Sequence, residues 1–186
     1  GLTESLAGRF ELIRATHWSF AEMNEAFGVS VDEFVYFGGY PGSADRFRDQ
    51  TRWRIYVQGS LIEPSIAKDV LAMGRVDNVD LLHRLFELES KYSDQELALI
   101  KILAELGWHT NTLADHLVLL RQASLLSGLQ KYAGQVVRQR SSAPKFQVHN
   151  NALFTANATY SFEDAQADRS HWGRLVESAV GAHLIN

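Results

Sequence analysis

A repeated start signal constrains this chain more than any other feature. It occurs as Ser19-Phe-Ala-Glu22, Ser30-Val-Asp-Glu33 and Ser93-Asp-Gln-Glu96, and in an aspartate form as Ser161-Phe-Glu-Asp164. In each, the serine hydroxyl can accept from the amide three residues on, while the acid reaches back to the serine amide. Two donors that a helix start leaves orphaned are thereby paired. A chain punctuated in this way is built mainly from helices. The first signal predicts a helix ending near Gly28. The second predicts a helix stopped by Gly38-Gly39-Tyr40-Pro41-Gly42, the strongest breaker in the sequence. At least one of those glycines is expected at positive φ, with Tyr40 turned inward.

Apolar spacing supplies the other elements. Arg9 to Arg14 alternates as a short strand. A long helix is expected from Asp45 to Leu71, with Trp53, Tyr56, Val57, Leu61 and Ile62 on its apolar face and Pro64 kinking or breaking it. Val79 to Leu88 reads as another, with Leu81, Leu82, Leu85 and Phe86 together. The Ser93 signal leads a helix carrying Leu97, Ile100, Leu103 and Ala104, ended by Gly107. Asn111 is placed to cap a helix through Leu126 that buries Leu113, Leu117, Leu120 and Leu125. Leu129 to Arg140 and Lys145 to His149 read as strands around a Ser141-Ser142-Ala143-Pro144 turn. A last amphipathic helix, Asp168 to Leu184, shows Trp172, Leu175, Val176, Ala179, Val180 and Leu184 as one stripe. The expected fold class is mainly α with a small β-hairpin. Its layout is a helical region over 1–76, a winged helix-turn-helix over 77–150 and a C-terminal helical segment over 151–186.

Composition narrows the function classes. The chain has 186 residues, 46% of them hydrophobic, enough for a real core. It has no cysteine, which excludes disulfides, Cys-ligated zinc, iron–sulfur clusters and thiol nucleophiles and suits a cytoplasmic setting. No apolar run approaches the roughly 18–20 residues that span a bilayer, so no membrane partner is expected. The net charge is −4, yet Gly107 to Asn151 holds Arg121, Lys131, Arg138, Arg140 and Lys145 against Asp115 alone. That segment is basic and the rest of the chain is correspondingly acidic, the pattern of a local cationic face.

The sequence offers no self-contained active site. It contains no GxxxxGK[ST] phosphate loop, no GxGxxG and no GxSxG. Its seven histidines are scattered, none in HExxH, and His109 and His116 are read as exposed or capping rather than metal-binding. Glu89-x-Lys91 falls at a helix end, where a nuclease-type pair does not belong. No metal and no cofactor are expected within this chain. Its first residue is Gly1, and it ends on a strongly amphipathic helix, so it is expected to be part of a longer protein.

Seven strings, in order and in register, resemble one family. They are Ser5-Leu-Ala-Gly8-Arg9-Phe10, Trp18-Ser-Phe-Ala-Glu22, Phe37-Gly-Gly-Tyr-Pro-Gly42, Lys68-Asp69-Val70, Leu129-Gln-Lys-Tyr132, Ser142-Ala-Pro-Lys145 and Trp172-Gly-Arg-Leu-Val-Glu177. The family is that of prokaryotic AAA-type ATPases carrying an uncharacterised C-terminal domain. The resemblance implies a missing N-terminal P-loop domain as partner, with ATP and Mg bound in the full-length protein. It makes 1–76 the end of the ATPase core and a lid-like region. It marks Arg9 as a candidate nucleotide-sensing arginine, since a guanidinium can stabilise charge on a γ-phosphate. It places Glu177 on the first helix of a restriction-endonuclease-like region whose catalytic strands this chain lacks, so Glu177 is expected to be an ordinary helix residue.

Two functions compete. The first is a regulatory winged-helix module of an ATPase that binds duplex DNA. Asn111, Thr112, Asp115 and His116 would then face bases, with Arg121, Lys131, Arg138, Arg140 and Lys145 on phosphates. The second is an interaction or assembly module that packs on the ATPase core, on another subunit or on its own copy, without nucleic acid. A nuclease reading ranks below both, because the strands it needs are absent.

Overall fold

The computed structural model describes residues 17–70, 83–87, 107, 110–129 and 145–185. The protein is mainly helical with one small antiparallel sheet. Helix α1 spans Phe20–Phe27 and α2 spans Val31–Phe37. Both are opened by the reciprocal serine–glutamate pairs. Ser19 N–H donates to Glu22 at 2.7 Å and Ser30 N–H to Glu33 at 2.8 Å, and each serine hydroxyl accepts in return. Gly28 closes α1 at φ 67° and Gly38 closes α2 at φ 74°, both in the region that favours glycine.

The chain then turns tightly. Pro41–Arg46 forms a 3-10 helix with Pro41 at its first turn, so the next α-helix starts later than the apolar spacing suggests. Helix α3 runs over Gln50–Tyr56, capped by Asp49 accepting from Arg52 N–H at 3.1 Å. It continues with π winding over Val57–Ile62 and again over Ser65–Val70. The winding carries on through Pro64, so the helix is not broken there. A proline removes one amide and crowds the carbonyl four residues earlier; a wider turn on each side relieves that crowding. Residues 83–87 are helical, with Leu85 and Phe86 buried.

Helix α4 covers Thr110–Gln122, strand β1 Leu126–Leu129 and strand β2 Lys145–Val148. The strands pair antiparallel, with Leu126 opposite Val148 and Leu129 opposite Lys145. Helix α5 (Asn151–Thr155), α6 (Phe162–Ala167) and α7 (Arg169–Ile185) complete the described chain. Ser161 and Asp164 form the last reciprocal cap, and Asp168 Oδ1 accepts from Ser170 and His171 amides to open α7. The strand at Arg9, the helix led by Ser93 and the stretch from Gln130 to Pro144 lie outside the described residues.

The core joins the two ends of the sequence. Phe37 stacks on Phe47 at 4.5 Å between ring centres and meets Trp53 edge-on at 5.0 Å, while Tyr36 meets Phe162 at 5.4 Å. Polar side chains fasten these layers. Asn151 Nδ2 donates to the carbonyls of Val35 (2.7 Å) and Leu175 (2.8 Å), and the Thr155 hydroxyl donates to the Tyr36 carbonyl at 2.6 Å. Along α3, Gln50, Arg54 and Gln58 recur every four residues and grip the 156–163 connection. Gln50 accepts from Phe162 N–H, Arg54 donates to the carbonyls of Ala158 and Tyr160, and Gln58 donates to that of Ala156.

Helix α7 buries a face that overlaps the expected stripe in part: of that stripe, Leu175 is buried and Trp172 and Ala179 pack half-buried against the core. Leu175, Ser178 and Ala182 are buried, whereas Val176, Val180 and Leu184 are 38%, 53% and 78% exposed. The buried face is the one whose small residues let β2 and α5 approach the helix backbone.

Candidate functional site

Helix α4 and the strand pair form the unit to which the sequence assigns partner binding. The helix buries Leu120, keeps Leu117 and Leu119 half-buried, and packs on β1 and on the π-wound end of α3. It ends four residues earlier than expected, at Gln122, and no glycine marks the stop. Ser124 takes φ 56°, Leu125 N–H reaches back to the Leu120 carbonyl at 3.0 Å, and Ser124 N–H to that of Arg121 at 3.1 Å. This pair of bonds is a Schellman closure with serine in the left-handed position. It turns the chain directly into β1, so the first strand is Leu126–Leu129 rather than a segment beginning at Leu129.

Both faces of the strand pair are covered. Leu126, Phe146 and Val148 point into the core, and on the other face Ser127 and Gln147 are also buried. Ser127 Oγ lies 2.6 Å from His149 Nε2, just beyond the last strand residue. Burial, followed by the Arg121 charge, lowers the His149 pKa, so the ring favours its neutral form. His149 Nδ1 has no hydrogen-bond partner among the described residues, so no acid orients the ring. Ser127 is itself only 6% exposed. The pair therefore has the geometry of a tie at the end of the ladder, without the orienting acid or the open hydroxyl that nucleophilic catalysis needs.

The sequence-assigned residues fall as follows. Asn111 and Thr112 sit in the first turn of α4, which begins at Thr110, so Asn111 lies inside the helix rather than capping it. Asp115 and Arg121 are exposed and His116 is half-buried. Lys145 is the first residue of β2. Arg9, Lys131, Arg138 and Arg140 lie outside the described residues. One feature escaped the sequence reading: Val118 is 54% exposed, three residues beyond Asp115 on the outer face of α4. Glu177 is on the exposed side of α7.

Among the described residues no three of His, Cys, Asp and Glu are grouped to hold a metal ion. No helix among them is long and apolar enough to cross a membrane.

A mainly helical body with one covered strand pair is the class of protein this architecture defines. Residues 28–163 match the model of the family described as Domain of unknown function (DUF8612), and the chain belongs to that family. No curated protein and no solved structure matches the chain.

Proposed function

We propose that this chain is a regulatory winged-helix module of a larger AAA-type ATPase, and that it contacts duplex DNA through α4 and the connection between β1 and β2. The observation that carries this reading is the strand register. Leu129 pairs with Lys145, so the 130–144 connection leaves and returns at one end of the sheet. That connection holds Lys131, Arg138 and Arg140 and no acid, and Lys145 follows it directly. A helix leading straight into such a strand pair is the arrangement in which a wing contacts phosphates beside a helix in the groove. The ATPase part rests on the sequence resemblance; Arg9 would sense nucleotide, and ATP and Mg would bind the P-loop domain rather than this chain.

Salt-titrated gel shifts on a short duplex test the DNA reading. About five phosphate contacts give a log K against log salt slope near −4 to −5. The double change Arg138→Ala and Arg140→Ala reduces that slope by about two, equally for any duplex sequence. Absence of duplex binding at low salt rejects this reading.

A second reading is favoured by Asp115 and Val118. An exposed carboxylate repels phosphate, and an exposed valine beside it offers apolar surface. The module would then dock on the ATPase core, another subunit or its own copy. Sedimentation showing association that Val118→Asp abolishes, with no salt-dependent duplex binding, supports it.

A further inference from the structure

A cleft of about 410 Å³ opens between the start of α1 and the second half of α7. Trp18 forms one wall, and Ala179, Ala182 and His183 the other. Its floor is the Gly38-Gly39 turn beside Asn150 and Asn151. The volume lies within the roughly 300–1,000 Å³ typical of small-molecule sites.

The two asparagines are 1% and 2% exposed, and each is half satisfied. Asn150 Oδ1 accepts from Ala152 N–H at 3.0 Å and Gly39 N–H at 3.3 Å. Its Nδ2 has no partner among the described residues. Asn151 is the converse: its Nδ2 donates to two carbonyls, and its Oδ1 is unpaired. One donor and one acceptor on consecutive residues are thus left without partners beside the cleft. Leaving such a group buried and unpaired forfeits the hydration it had in the unfolded chain, a cost that a ligand supplying the missing partner removes.

Charge narrows the ligand. Among the described residues the cleft lining contains no Lys or Arg. Its one carboxylate, Glu22, is held by the Ser19 amide and hydroxyl, both at 2.7 Å. His17 is kept neutral chiefly by burial, with its pKa lowered to about 4. An anion would find no lysine or arginine among the described lining residues. Trp18 and Phe34 instead offer flat apolar surface.

We propose that this cleft binds a small neutral molecule with a planar carboxamide edge, whose carbonyl accepts from Asn150 Nδ2 while its N–H donates to Asn151 Oδ1. The aromatic or apolar body of the ligand lies against Trp18 and Phe34. This site is separate from the α4 surface and does not depend on the function proposed for it.

Nicotinamide and nicotinate are the probes, because they differ only in the edge. Titration of the full chain, followed by amide NMR, is expected to shift the Asn150 side-chain and Gly39 backbone signals with nicotinamide and not with nicotinate. Asn150→Asp keeps the accepting oxygen and loses the donor, so it weakens nicotinamide about tenfold. Ala179→Phe fills the cleft from the helix wall and abolishes the shifts with little change in melting temperature. Equal shifts with nicotinate, shifts that survive Ala179→Phe, or no response at millimolar nicotinamide overturn the proposal. So does a crystal structure in which an ordered water alone pairs both asparagine atoms in the presence of the amide.

Discussion

Gln147 and Ser178 are joined across the sheet–helix boundary: Gln147 Nε2 donates to the Ser178 carbonyl at 2.8 Å. One turn earlier, the Leu175 carbonyl accepts from Asn151 at 2.8 Å. Helix α7 is therefore gripped by its backbone at two successive turns, through second lone pairs that the helix ladder leaves free. Such a grip needs small side chains at the point of approach. A Cβ on Gly181 would stand 2.1 Å from Gln147 Oε1.

Gly181→Ala should therefore destabilise the protein by about 1–3 kcal/mol, although alanine is the better helix former. In a Gln147→Ala background the same change should become neutral or stabilising. Urea unfolding of the four proteins in this cycle measures the coupling; additive effects would place Gly181 outside the contact.

The glycine turn makes a sharper contrast. Gly38 combines φ 74° with a Cβ position 1.8 Å from Asn150 Oδ1, and a Cβ on Gly39 would lie 2.1 Å from the Trp18 carbonyl. Replacing either with Ala should cost about 1–3 kcal/mol and lower the melting temperature by several degrees. Gly59→Ala is the control. Nothing lies within 4 Å of its Cβ position and its backbone is helical, so it should gain roughly 0.5–1 kcal/mol.

Acid should weaken the fold in a defined window. Burial is the main cause lowering the His17 pKa to about 4, below its ordinary 6.5, and it lowers those of His149 and His171 as well. Between those values the unfolded chain binds protons that the folded one refuses. Stability is then full above about pH 6.5 and falls as pH drops toward 4. Urea midpoints from pH 7 to pH 4 should follow this slope, and His17→Gln should flatten it. A flat wild-type profile would show that His17 titrates normally.

How much of this was legible in the sequence depends on the range of the forces involved. The helix starts at Ser19, Ser30 and Ser161 were readable because a capping box is complete within four residues. So was the positive φ at Gly38. The end of α4 was not, since Ser124 takes a left-handed conformation usually marked by glycine. The face of α7 was legible only in part, through Trp172, Leu175 and Ala179. Hydrophobic spacing favours Val176, Val180 and Leu184, but Gln147 and Asn151, close in space and distant in sequence, select the side carrying Ser178. The asparagine cleft has no sequence signature, because residues 17, 38, 150 and 183 meet only in the folded chain.

The bond between Asn151 and Val35 spans 116 residues of chain, and that between Thr155 and Tyr36 spans 119. A ribosome adding about 5–20 residues per second takes roughly 6–24 s to cover that distance. Throughout that interval Tyr36 and Phe37 have left the exit tunnel without the helices that will cover them. The nascent chain therefore carries an uncovered aromatic surface until the segment from Asn151 onward emerges, and its yield in the cell should depend on chaperones that hold such surfaces in the meantime.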